Sequence, residues 1–186
     1  MVAGVDPFTR LAHQARAGDP GALEAFVGTG YEPVWRLCAA LVGEQNADDS
    51  SQETFIRAVG ALPKFRGESS ARTWLLAIAR HVCLDEHRAR ARRRRRDVAV
   101  RAGRAATSVD PSAEIALTDL VGAIHVDRRA AFVLTQVLGL SYDEAARVCD
   151  CPPGTIRSRV ARARADLVEL VKRSERDRHP GRSSSA

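Results

Sequence analysis

The stretch from Gly139 to Val160 admits few backbone solutions. Gly139 suits the left-handed position that closes a helix. Ser141 suits the cap of the next one, and Glu144, three residues on, completes an S-x-x-E capping box. Ala145, Ala146, Val148 and Cys149 fit a short helix that breaks at Asp150-Cys151-Pro152-Pro153-Gly154, and a long helix begins near Pro153. Two helices joined by a tight turn, the second rich in Arg near its start, make a helix-turn-helix pattern. At about 100° per residue, Ile156, Val160, Ala163, Leu167 and Leu170 align as one apolar stripe. Thr155, Ser158, Arg159 and Arg162 share another face, with Arg157 on the far flank. Arg side chains suit guanine edges in the major groove, and Thr155 with the free N–H groups of the helix start suits a phosphate. A solvated face on a bundle helix is the plainer account of any Arg-rich helix. Capping box, turn and face separation together favour DNA reading.

The rest of the chain also reads as helical. Phe8, Leu11, Ala12 and Ala15 share a face, and Gly18-Asp19-Pro20 ends that helix and caps the next. The second segment runs from Pro20 to about Val42, with Gly28, Gly30 and Pro33 predicted to kink or split it. A third helix is predicted over 47–61, and a fourth, starting after Ser70, carries Trp74, Ile78 and Val82 into an Arg run. Asp110-Pro111 starts a helix with Ile115, Leu117, Val121 and Ile124, and Asp127 starts another that Gly139 ends. Alternating apolar–polar runs are absent, so the fold class is all-α. The predicted organisation is a domain over 8–96, an Arg-rich linker over 97–112, a domain over 113–172 and a disordered tail over 173–186.

Charge is divided along the chain. Residues 1–87 carry a net −3, 88–104 a net +8, 105–146 a net −4 and 147–186 a net +5. Two basic stretches separated by acidic ones suit two contacts with a polyanion. Four phosphates contacted by the Arg run would give a log–log salt slope of about −3.6. A solvated, fraying helix end is the alternative for that run. No apolar run approaches the length of a membrane helix and no secretory signal is visible, so a cytoplasmic protein without a membrane partner is expected. Cys38, Cys83, Cys149 and Cys151 are too few and too scattered for a disulfide scaffold.

Beyond this, the residues are familiar. The pattern from Gly139 to Ala146, followed by Pro153 to Arg164, resembles region 4 of the extracytoplasmic-function sigma factors of bacterial RNA polymerase. Asp48 to Phe55, Phe65 to Leu75 and Ile78 to Arg80 resemble region 2 of the same family, and Thr73 to Val82 is most similar to its actinobacterial sigma-C-like subgroup. The resemblance spans about residues 8–172. It implies a subunit that binds core polymerase and recognises the −35 and −10 promoter elements. Core binding falls on Asp48, Asp49, Gln52 and Glu53, against the clamp helices of the largest subunit, with the flap of the second subunit as a further contact. An acidic face suits a protein partner, since it repels phosphate; a solvent face with a Glu53–Arg57 pair is the plainer account. Ser50 and Ser51 stand where the family has an apolar pair.

The resemblance places −10 recognition on Lys64, Phe65, Arg66, Arg72, His81 and Arg88. Basic groups around an exposed Phe65 suit an unstacked base, whereas a Phe65 tucked into the core is an equal alternative. Trp74 reads as core. His81 stands where Asn is usual and offers a different donor–acceptor pattern. The −35 set is Thr155, Arg157, Ser158, Arg159 and Arg162. The resemblance leaves room for an anti-sigma protein as a further partner.

No phosphate-loop, serine-hydrolase or zincin motif occurs, so no enzymatic chemistry and no cofactor are expected. His81, Cys83 and His87 lie on one helix without a local fourth ligand, and packing accounts for them better than a metal does. The alternative function is a stand-alone helix-turn-helix regulator that binds duplex DNA as a symmetric dimer.

Overall fold

The computed structural model of the 186-residue chain describes residues 6–101 and 124–178. Seven α-helices carry the described residues, and no strand occurs among them. Pro7–Arg16 (α1), Pro20–Val42 (α2), Ala47–Ala61 (α3) and Ala71–Arg101 (α4) form the amino-terminal unit; Val126–Phe132 (α5), Tyr142–Cys149 (α6) and Pro153–Arg178 (α7) form the carboxyl-terminal one.

Local chemistry sets most of the helix starts. Asp6 caps α1 by accepting from the Thr9 amide, and Asp19 caps α2 by accepting from the Ala22 amide at 3.1 Å, with Pro20 in the first turn. The start of α4 is capped from two directions: Ser70 Oγ accepts from the Thr73 amide, and Thr9 of α1 accepts from the Ala71 amide at 2.8 Å.

Of the expected kink or split in α2, the split does not occur, and the helix runs unbroken through Pro33 to Val42. Phe26, Val34, Leu37 and Leu41 are buried along it. Burying each contributes about 1.5–3 kcal/mol, which together outweighs the roughly 3 kcal/mol cost of an interior proline. Gly30 marks a close crossing. A Cβ there would lie 2.8 Å from Leu75 Cδ2 and 3.1 Å from Phe8 Cζ. Ser50 and Ser51 are buried on α3, where Ser51 Oγ donates to the Ala47 carbonyl and Thr54 Oγ1 to that of Ser50, each at 2.7 Å.

Two boundaries extend past expectation. Helix α4 continues to Arg101, so residues 97–101 are helical where a linker was predicted. Ala and Arg are strong helix formers, and Glu86 braces the turns before the segment by accepting from Arg90 at 2.8 Å and from Arg93 at 2.7 Å. Helix α7 runs to Arg178, six residues beyond the predicted domain end. The expected helix over 110–124 and the rest of the predicted linker and tail lie outside the described residues, apart from Ile124, which is buried. Helix α5 is capped by His125 and starts at Val126, one residue before the expected Asp127. It ends in a π turn over Val133–Val137, and Gly139 stops it at φ +70°.

The two units pack on each other. Helix α4 lies against α6 and α2 against α5, so one apolar cluster runs from Phe26, Leu37 and Leu76 through to Leu134, Val148 and Ile156.

Candidate functional site

The helix-turn-helix has the predicted capping box. The Glu144 amide donates to Ser141 Oγ, and the Glu144 carboxylate accepts from the Ser141 amide at 2.9 Å. Those bonds from Ser141 hold the Glu144 carboxyl below the usual glutamate range. Asp150 closes α6 in the left-handed conformation at φ 50° and turns the chain into α7. Ile156, Val160 and Ala163 are buried, so the polar face of α7 stands outward. Arg157, Ser158 and Arg162 are exposed and Thr155 is half-buried. Arg157 lies over the Tyr142 ring, 5.9 Å from its centroid. Arg159 is drawn inward: its Nη1 donates to Cys151 Sγ at 3.6 Å, and its Nη2 lies 3.8 Å from Asp127.

The loop before α4 is built around Phe65, which is 3% exposed. Its ring packs between His13, at 5.2 Å, and Trp74, at 5.0 Å. Of the two alternatives for Phe65, the structure takes the core one, because α1 and α4 enclose the ring. Lys64 and Arg66 on either side remain exposed. Together with Gly67, Glu68, Ser69 and a half-buried Trp74, they line a cavity of about 330 Å³. Trp74 thus forms a wall of this opening as well as contacting the core. Further along α4, His81 is exposed with Nδ1 on the Ala77 carbonyl at 2.8 Å, and Arg88 is exposed beside Asp85 at 3.3 Å. Hydrogen bonds from Arg90 and Arg93 keep Glu86 below the usual carboxylate range. Among the described residues, no three His, Cys, Asp or Glu groups are arranged to hold a metal.

On α3, Asp49 and Gln52 are exposed and Glu53 is half-buried. Asp48 is not free. It accepts from Trp35 Nε1 at 2.8 Å and from the Tyr31 hydroxyl at 3.2 Å, which ties the acidic turn to α2. Glu53 accepts from Arg57 at 2.7 Å, and Arg57 also reaches Asp85 at 3.1 Å. Asp49 and Glu53 line a groove between α3 and α4 together with Asn46, Arg57, Glu86 and Arg93, about 490 Å³ in volume.

Sequence reasoning missed the junction between the units. Arg72 Nη2 donates across it to the Leu138 carbonyl at 2.7 Å. Arg80, 7% exposed, forms an ion pair with Asp127 at 2.9 Å, and the same carboxylate receives Arg159. Of the residues expected on DNA, Arg72 is therefore engaged across the junction, and Arg159 is held within the carboxyl-terminal unit by the carboxylate that also takes Arg80. Arg80 was detectable in principle, since a cation at the spacing of Leu76 and Cys83 falls on the buried face of α4 and needs a partner.

Residues 26–93 match the family model for Sigma-70 region 2, and residues 114–167 that for Sigma-70 region 4. The chain is 49% identical over 166 residues to the ECF RNA polymerase sigma factor SigC of Mycobacterium tuberculosis, covering 86% of this chain and 89% of that protein. It is 33% identical over 176 residues to the ECF RNA polymerase sigma-E factor of Escherichia coli K12, covering 87% and 92%. Among solved structures it is similar to CnrH in complex with the cytosolic domain of CnrY, with a TM-score of 0.70 at 26% identity over 90% of this chain and 98% of that one. It is also similar to RpoE in complex with the anti-sigma factor NepR from Bartonella quintana, with a TM-score of 0.61 at 30% identity over 80% and 96%. Matches to both region models, with identity to curated relatives across both units, reach well past what a helix-turn-helix alone would give. The chain belongs to the extracytoplasmic-function sigma factors and acts as an RNA polymerase sigma factor in transcription initiation.

Proposed function

We propose that the three surfaces divide the work of promoter recognition. The exposed acid of α3, with Asp49, Gln52 and Glu53 presented and Asp48 fixing the turn, docks on the clamp helices of the largest polymerase subunit, while the carboxyl-terminal domain meets the flap of the second. The loop cavity walled by Lys64, Arg66 and Trp74 takes an unstacked −10 base, with Arg72, His81 and Arg88 along the same strand. Thr155, Arg157, Ser158, Arg159 and Arg162 read the −35 duplex. The observation that carries this reading is the loop cavity: basic groups and an aromatic wall around an opening with room for a base, one helix away from an acidic face. DNA binding then requires Arg72 and Arg159 to exchange Leu138 and Asp127 for DNA. The division into domains over 8–96 and 113–172 is part of this reading, with α4 extending to Arg101 and α7 to Arg178. A cytoplasmic setting and an anti-sigma partner accord with the absence of a membrane-length helix among the described residues and with the complexes formed by similar proteins.

Run-off transcription with matched core polymerase and a cognate template tests the reading as a whole: a promoter-specific transcript should depend on the protein. Lys at both Asp49 and Glu53 should weaken core binding by about a hundredfold, because like charges across an interface cost several kcal/mol. Unchanged affinity would remove α3 as the polymerase face.

A further inference from the structure

We propose that Thr9, His13 and Arg16 of α1 are positioning residues for the loop before α4, holding its backbone so that the opening beside Trp74 is formed before DNA arrives. The inference rests on the reading of that loop as the −10 site. Spaced four and three apart, the three residues share one face of α1. All of them precede residues 26–93, which match region 2. Each ends on a different part of the loop. Arg16 Nη1 donates to the Phe65 carbonyl at 2.6 Å, at the loop's entry. The His13 ring packs on the Phe65 ring and lies against Gly67, where a Cβ would be 3.1 Å from Nε2. Gly67 stands at φ +74°, so glycine is required there both by the sign of φ and by space. At the exit, Thr9 Oγ1 accepts from the Ala71 amide, the first of α4, at 2.8 Å. Its own proton goes to the Asp6 carboxylate, which leaves the oxygen free to accept.

Packing alone does not account for this arrangement. The apolar side chains of α1, with Phe8 stacked on Phe26 and Ala12 buried, already seat the helix on α2. Thr9 is nonetheless 5% exposed and directs its oxygen to the start of another helix. A short loop fixed at entry and exit has few conformations left. The rings continue the same route: His13 sets Phe65, and Phe65 sets Trp74 at 5.0 Å. Lys64 and Arg66 then flank, and Trp74 backs, an opening whose shape is settled in the free protein. A base that enters it needs no further ordering of the loop, and this preorganisation favours capture. Helix α1 therefore acts on promoter opening through the loop backbone, without itself contacting the base.

The test uses the full-length protein, free and as holoenzyme with core polymerase. In the free protein, Arg16→Met should speed amide hydrogen exchange over 64–70 about tenfold, the scale of losing one hydrogen bond from a charged donor, and leave peptides of α2 unchanged. In the holoenzyme, on a promoter it transcribes, the same variant should lower the permanganate reactivity of the −10 thymines about tenfold at unchanged core affinity. Thr9→Val should act in the same direction, and Thr9→Ser, which keeps the oxygen, should not. Equal behaviour of those two variants would overturn the role of the Thr9 hydroxyl. Unchanged exchange in the loop, or exchange that rises equally in α2, would overturn the brace. Faster loop exchange with full opening would overturn its part in promoter opening. Lys64→Ala combined with Arg66→Ala separates this inference from the reading beneath it. If that pair impairs opening and Arg16→Met does not, the positioning role alone falls; if neither does, the loop reading falls with it.

Discussion

Helices α4 and α7 both carry dense arginine, and they use it differently. On α7 a single stripe, Ile156, Val160 and Ala163, is buried, and Arg157 and Arg162 stand in solvent. On α4 the arginines are largely engaged: Arg72 on Leu138, Arg80 on Asp127, Arg88 on Asp85, and Arg90 and Arg93 on Glu86. The net +8 counted over 88–104 begins just past Asp85 and Glu86, which compensate part of it. Arginine density therefore says little about where phosphate binds. Local acids decide which guanidinium groups are available.

The largest expected effect tests the one-stripe design of α7. Ile156→Ala should destabilise the carboxyl-terminal domain by about 2–5 kcal/mol, read by denaturant unfolding, because it opens a cavity where the side chain is fully buried. Core binding through α3 should survive the same change. Next, Asp127→Ala leaves Arg80 buried and without its ion pair. It should cost the docked arrangement about 3 kcal/mol, less whatever solvent reaches the partly exposed carboxylate, and small-angle scattering should show separation. Arg88→Ala, which breaks an exposed pair, should leave the radius unchanged.

Ser141→Ala should cost about 1 kcal/mol and alter the pH dependence of the same domain. The Glu144 pKa is lowered on folding, so its contribution is present above the ordinary value of 4.5 and is lost as pH falls through the lowered one. The variant should show a flatter acid limb in urea titrations. The smallest effect is a gain. Asp150→Gly relieves a left-handed non-glycine residue and should stabilise by roughly 0.5–1 kcal/mol, read as a raised Tm.

These contrasts follow what the sequence could and could not say. The Ser141–Glu144 box and the Asp19-Pro20 start were legible because neighbouring residues satisfy one another. The continuity of α2 through Pro33 was not, since its reason lies on Leu75, Phe8 and Phe55, each more than twenty residues from Gly30. The inward turn of Phe65 depends on His13 and Trp74, the engagement of Arg72 depends on how two domains meet, and that of Arg159 depends on Asp127, thirty-two residues away. Motif spacing identifies which residues belong to a surface. It does not say whether a tertiary neighbour already holds them.

The chain has two tryptophans, and they fall on different surfaces. The Trp35 indole donates to Asp48 at the root of the acidic turn, while Trp74 walls the loop cavity beside Phe65. The molecule thus contains a pair of intrinsic chromophores with separate addresses. In a Trp74→Phe background, emission follows the α3 side alone; in a Trp35→Phe background, it follows the loop. Titrating polymerase and single-stranded promoter DNA against these two proteins would resolve the order of assembly spectroscopically, without any attached dye.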